Sequence, residues 1–264
     1  METVQVEKIV TSHFFLHSSD QKDIQKEVLM KELLDQKQAE SVLKLYGKQI
    51  KALNDQVPAT YLSSKLGIIC SAYITMLGLH QVILPIPNSL SIQFYQDEKY
   101  QVDTIAFKVN IDNCYYAESH KESRREQLAN FFETFITPLI INLSKTVNIR
   151  LRELWGQLLH GIEYGRKIAL DLTANEREKI LLDQDYHWLI KEANPSIFQS
   201  EKHVLDFPYM EVQNPTSPCM MQRMKPTCCL YYQTEGAHGK CYTCPRMTPA
   251  EREKRKQEVL ASVK

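Results

Sequence analysis

Glycine is scarce in this chain, with eight in 264 residues, and no Gly-x-Gly-x-x-Gly turn can be assembled from them. That shortage speaks against NAD or flavin binding, because a dinucleotide pyrophosphate needs such glycines to approach the backbone at a helix N-terminus. An excess of either charge is also missing. Thirty-two basic residues balance thirty-two acidic ones, so the overall field attracts neither nucleic acid nor an anionic membrane. The most apolar runs, 66–79 and 131–143, are broken by Ser71, Thr75, Glu133 and Asn142, and both fall short of the roughly 20 apolar residues of a membrane span. Residues 1–7 are acidic and lack the basic-then-apolar order of a signal peptide. No nucleophile with a neighbouring base and no histidine pair of metal-hydrolase type stands out. These absences predict a cytoplasmic protein with no membrane span and no nucleic-acid partner.

What is present is ordinary globular composition, 43% hydrophobic and 24% charged, enough for a sizeable core. The spacing of Ile24, Val28, Leu33, Leu34, Val42, Leu45 and Ile50 predicts an amphipathic helix from Asp20 to about Asn54. Residues 61–79, apolar on most sides, predict a buried helix ending near Gly78. Pro85 and Pro87 then punctuate the chain, and the period changes. Residues 91–95 and 102–111 read as a hairpin, with Ile105, Phe107, Val109 and Ile111 on one face and a charged, water-facing link at 96–100. Helical periodicity returns over 121–143, interrupted at Pro138, and over 149–170. A capping box at Thr173 and Glu176 opens a further helix towards Leu189 whose charges read as a solvated face.

Between Asn194 and Lys225 five prolines mark out loop, counting Pro226 just beyond. Thr248, Pro249 and Glu251 start a charged terminal helix. The expected fold is α+β. A helix-rich platform with a small antiparallel sheet spans residues 1–193, and residues 194–264 carry a loop-rich, cysteine-bearing segment and a terminal helix.

Seven cysteines are distributed unevenly, five of them between Cys219 and Cys244. Cys70 and Cys114 sit among apolar or aromatic residues and read as small hydrophobes. In a reducing compartment the rest are thiols or metal ligands rather than disulfides. Cys228 and Cys229 are adjacent, eleven residues intervene, and Cys241 and Cys244 form a Cys-x-x-Cys turn. Four thiolates complete the shell of a structural zinc ion or of a [2Fe-2S] cluster. The Cys-x-x-Cys turn suits both. Adjacent cysteines favour the cluster, because neighbouring side chains point apart and reach one small ion only from a bent backbone, whereas a two-iron centre is a larger target. Gly236 and Gly239 allow the loop to turn, and Pro245 stops structure from crowding the last ligand. His238 reads as an exposed loop residue and Cys219 as a spare thiol.

At this motif the chain resembles the FhuF-type ferric siderophore reductases. The resemblance lies in the Cys-Cys, loop, Cys-x-x-Cys pattern, in the flanking residues 223–232, and in Leu154, Trp155 and Gly156 upstream. The loop is one residue longer than the family pattern, and the N-terminal half carries no matching motif. The resemblance implies that Cys228, Cys229, Cys241 and Cys244 hold a [2Fe-2S] cluster and that the reaction is one-electron reduction of Fe(III) in a siderophore of hydroxamate or mixed-ligand type. It further implies an external electron donor, such as a ferredoxin, a flavodoxin or a reductase. Arg223 and Lys225 are candidates to meet an anionic chelate, or to act as donors that tune the cluster. Trp155 and Tyr232 are candidates for the same pocket. A zinc-stabilised interaction module and a plain electron carrier are the alternatives.

Overall fold

A computed structural model of the chain describes residues 14–98, 102–112, 114–116 and 120–262. The first elements are two strands, β1 (Leu16–His17) and β2 (Ile24–Leu29), followed by a 3-10 turn at Met30–Leu34 and the helix α1 (Gln36–Gln49). The long helix expected from Asp20 therefore begins only after Asp35, whose side chain accepts from the Gln38 N–H as an N-cap. Ile24 and Val28 lie four apart, which mimics a helical face. Tertiary pairing decides otherwise, because residues 24–29 are drawn onto a neighbouring strand as the edge of a sheet.

Helix α2 (Gln56–His80) is buried over most of its length. By length and composition it could cross a membrane, but 78% of its apolar window lies inside the protein. After β3 (Val82–Ile83) come the hairpin strands β4 (Ser91–Asp97) and β5 (Val102–Lys108), as the alternation predicted, although β4 takes in the first two residues of the expected link. The sheet order is β1-β5-β4-β2, with β1 parallel to β5 and the other pairs antiparallel. A small ribbon joins β3 to β6 (Tyr115–Tyr116).

Helix α3 (Lys121–Phe131) runs through a π-helical turn, Phe132–Ile136, into α4 (Thr137–Thr146). Pro138 follows the π turn, whose wider spacing accommodates a proline within the continuous helical run. Two more helices follow, α5 (Leu151–Leu172) and α6 (Glu176–His187). The cap of α6 is Asn175, which accepts from the Arg177 N–H, and not Thr173, whose buried hydroxyl donates to the Ala169 carbonyl and closes α5 instead. One acidic residue of α6 leaves the solvated face: Asp185 is buried and receives Arg124 of α3 at 2.9 and 3.3 Å. The proline-rich stretch is not all loop. It holds a 3-10 turn (Pro195–Phe198) and the ribbon β7 (Glu211–Gln213) with β8 (Met221–Arg223). The terminal helix α7 (Pro249–Ser262) has its capping box, with Thr248 and Glu251 exchanging backbone-to-side-chain bonds at 2.7 and 3.2 Å.

The core is organised around α2 and α5. Ser63 Oγ donates to Leu154 O at 2.7 Å and Ser71 Oγ to Ile162 O at 2.8 Å, a constant offset that makes the two helices parallel. Small residues line the crossing. A Cβ on Gly161 would enter the Ser64 carbonyl, one on Gly67 would enter the Leu158 carbonyl, and one on Gly165 would meet Ser71. Backbones this close gain dispersion contacts along both helices that larger side chains would forbid. Phe198, Leu205, Phe207, Cys228, Leu230 and Cys244 belong to the same apolar core, so the C-terminal segment is packed onto the helices. The substitution Gly161→Ala is expected to force the helices apart and destabilise the protein by roughly 3 kcal/mol, read as a lower midpoint in chemical denaturation.

Candidate metal centre

The parallel run of α2 and α5 brings both helix N-terminal ends to one side of the molecule, where they receive residues 227–229. Thr227 Oγ1 donates to Glu153 O at 2.8 Å, Gln157 Nε2 donates to Thr227 O at 2.8 Å, and Thr60 Oγ1 donates to Cys229 O at 2.9 Å. Gly156 makes this seat possible. A Cβ there would lie within the Thr227 side chain. A second anchor comes from the α1–α2 link, where Leu53 N–H donates to Gln233 O and Glu235 N–H to Lys51 O, both at 2.9 Å.

The bent backbone that adjacent cysteines require occurs immediately after them. Leu230 is in the left-handed region at φ 58° and ψ 16°, a conformation costing on the order of 1–3 kcal/mol for a residue with a Cβ. Its side chain is buried, and packing holds it there. Gly236 and Gly239, at φ 74° and 89° with nothing near a would-be Cβ, carry the loop back to the Cys-x-x-Cys turn. That turn is closed by Cys244 N–H donating to Cys241 O at 2.9 Å. Arg252 of α7 straps it, donating to Tyr242 O and, at 3.0 Å, to Cys244 O.

The four thiols predicted from sequence meet at this place. Cys244 Sγ donates to Cys228 Sγ at 3.4 Å, and Cys241 lies near enough to Cys229 and Cys244 to perturb both. Among the described residues no three His, Cys, Asp or Glu side chains form a set around one ion. Cys228, Cys229 and Cys244 are buried, while Cys241 is partly exposed. The thiols perturb one another as near neighbours must. The bond from Cys244 lowers the pKa of Cys228 and raises that of Cys244, and Cys229 is pushed up by the neighbouring Cys241 and then by burial. Four thiolates this close repel one another strongly unless a cationic centre lies between them. The thiols stand in contact, Cys228 with Cys244, and a metal centre bound there would take them as thiolates. His238 is exposed in the loop and Cys219 is exposed upstream, so neither is part of the set.

Two basic residues stand beside the thiols in different ways. Lys225 Nζ donates to Cys229 Sγ at 3.2 Å, and its N–H donates to Thr243 O at 3.1 Å. Arg223 is instead ion-paired with Glu163 and lies 4.6 Å over the Tyr209 ring. Arg246 is held by Glu153 at 3.1 Å. Trp155 is fully buried in the core against Phe198. Tyr232 is partly buried and hydrogen-bonded with Arg246. Thr60, Gln157, Thr227 and the neighbouring His160 drew no attention as sequence, since isolated polar residues in helices and loops carry no spacing signal. Burial, reinforced by Lys225 and Arg223, lowers the His160 imidazole from 6.5 to about 4.

Two outcomes follow from the seat. Gly156→Ala is expected to displace Thr227, cost about 2 kcal/mol and reduce bound metal, as read by denaturation and metal analysis, with helical content unchanged. His160 takes up a proton near pH 6.5 when unfolded and only near pH 4 when folded, so its contribution to stability is complete above 6.5 and declines as pH falls towards 4. His160→Gln should flatten that part of the stability–pH curve. In comparisons with known proteins, the chain matches no protein-family model and no curated protein sequence.

Proposed function

We propose that this protein is a ferric-chelate reductase that holds a [2Fe-2S] cluster on Cys228, Cys229, Cys241 and Cys244 and delivers one electron to Fe(III) in a siderophore. The observation that carries this reading is the meeting of four thiols, from two separate segments, on a seat made by two helix N-terminal ends and a lysine. The chemistry explains why one electron is enough. Hydroxamate, catecholate and hydroxycarboxylate oxygens hold Fe(III) very tightly and Fe(II) far more weakly, so reduction releases the metal. When bound, such a cluster supplies a one-electron store whose potential depends on hydrogen bonds and exposure. The residues around it bind and orient it, and the buried Cys228, Cys229 and Cys244 keep water from most of it.

A docking place for the chelate is supported by a groove of about 470 Å³ between the β7–β8 ribbon and α7, whose lining includes Met224, Tyr242, Pro245 and Met247 with the charged Arg252, Lys256, Glu211 and Glu253. Tyr242 and Pro245 directly follow Cys241 and Cys244 in the chain. A larger cleft of about 690 Å³ beside Tyr73 and Phe131 is less suited. Tyr73 lies thirteen residues along α2 from the Cys229 contact at Thr60, about 20 Å at 1.5 Å per residue, and electron transfer weakens steeply with distance. Electrons would come from a separate carrier such as a ferredoxin, a flavodoxin or a reductase, in the cytoplasm.

Anaerobically purified protein is expected to be coloured, to contain iron and acid-labile sulfide, and to show an EPR signal after one-electron reduction. A colourless protein with zinc in place of iron would favour a structural zinc module instead. Reduction of acceptor proteins without a saturable spectral response to ferric chelates would mark a plain electron carrier. Cys228→Ser should bleach the protein and bring Fe(II) delivery to a ferrous trap down to background; wild-type delivery by that variant would remove the cluster from the reaction.

A further inference from the structure

Among the described residues Lys225 is the basic side chain that donates to a thiol sulfur, at 3.2 Å from Cys229 Sγ. Arg223 is neutralised by Glu163 and Arg246 by Glu153. Among the described residues no Asp or Glu forms an ion pair with Lys225. Its Nζ reaches the Cys229 sulfur instead. Partly buried ammonium groups are stabilised by neighbouring negative charge, and a thiolate-ligated centre on Cys229 would supply it at hydrogen-bond distance. The side chain is also fixed at both ends. Its backbone N–H is bonded to Thr243, inside the Cys-x-x-Cys turn, while its Nζ reaches Cys229 from the other half of the motif. A lysine so held cannot swing out to a solvent-borne chelate without breaking the contact between the two halves.

We infer that Lys225 is a potential-setting residue: its ammonium group, hydrogen-bonded to Cys229 Sγ, stabilises the centre more after it gains an electron than before. This rests on the proposed [2Fe-2S] reading. Gaining one electron adds one negative charge to the thiolate-ligated centre, and a fixed cation at hydrogen-bond distance from a ligand favours the more negative state. No proton is transferred in the step, and Lys225 remains an ammonium throughout. His160, uncharged near neutrality, and the paired Arg223 and Arg246 do not offset this cation with negative charge. The effect is uneven across the motif, since Cys229 receives the cation while Cys228 receives only the Leu230 N–H at 3.4 Å and the Cys244 thiol.

The test is a redox titration of the loaded protein followed by EPR, comparing wild type with Lys225→Met and Lys225→Arg, and with iron and sulfide content measured in each. Lys225→Met should lower the midpoint potential by at least a tenfold change in the reduced-to-oxidised ratio, about 59 mV for a one-electron couple. Lys225→Arg should stay close to wild type. If Lys225→Met does not load, Lys225→Gln is titrated against Lys225→Arg by the same criterion. A loaded, neutral variant with the wild-type potential would overturn the inference and leave the proposed function standing. A wild-type protein that binds no iron and sulfide would overturn both.

Discussion

Everything near the thiols depends on how closely α2 and α5 approach. Gly67, Gly161 and Gly165 allow backbone to meet backbone or serine, and Ser63 and Ser71 add hydrogen bonds across the crossing at one constant offset. Because the helices are parallel, the same packing that buries their middles leaves their N-terminal ends side by side. Those ends present Thr60, the Glu153 carbonyl and Gln157 to a single stretch of chain. A slip of either helix by one turn would separate these partners, which is why the small residues of the crossing and the polar residues of the seat act as one unit.

The seat carries an electrostatic design as well as a steric one. Lys225 donates to the Cys229 sulfur and Arg252 to the Cys244 carbonyl, while Arg223 and Arg246 are matched by carboxylates. Lys225 is the basic side chain among the described residues whose charge is directed at a sulfur. An apolar or zwitterionic occupant would leave that ammonium poorly matched. An anionic metal–thiolate centre matches it. Cys228 faces Cys244 while Cys229 faces Lys225, and the left-handed backbone at Leu230 turns the chain away after them.

Much of this was legible in the sequence, and the exceptions have physical causes. The buried helix, the β4–β5 hairpin and the terminal capping box were readable because each is encoded by contiguous periodicity or by adjacent residues. Strand β2 was not, since its exposed edge position permits a charged sequence of helix formers, and only pairing with β4 makes it extended. Asn175 and Thr173 compete for one cap, and the burial of Thr173 under α5 decides between them. Asp185 looked like surface charge because its partner Arg124 lies 61 residues away. At the site, the four cysteines announced themselves by spacing. Their seat did not: Thr60 is 169 residues from Cys229 and Gln157 is 70 from Thr227, and Arg223 and Lys225 look alike until one is found facing a carboxylate and the other a sulfur.

The order of these parts along the chain has a consequence for how the protein is made. Thr60, Glu153, Gly156 and Gln157 all precede Cys228, and chains emerge from the ribosome N-terminus first. The receptor for the thiols is therefore translated before any of the four thiols exists. The reactive sulfurs leave the ribosome next to a surface whose sequence is already complete, which shortens the interval in which they stand unprotected against oxidation or a stray metal.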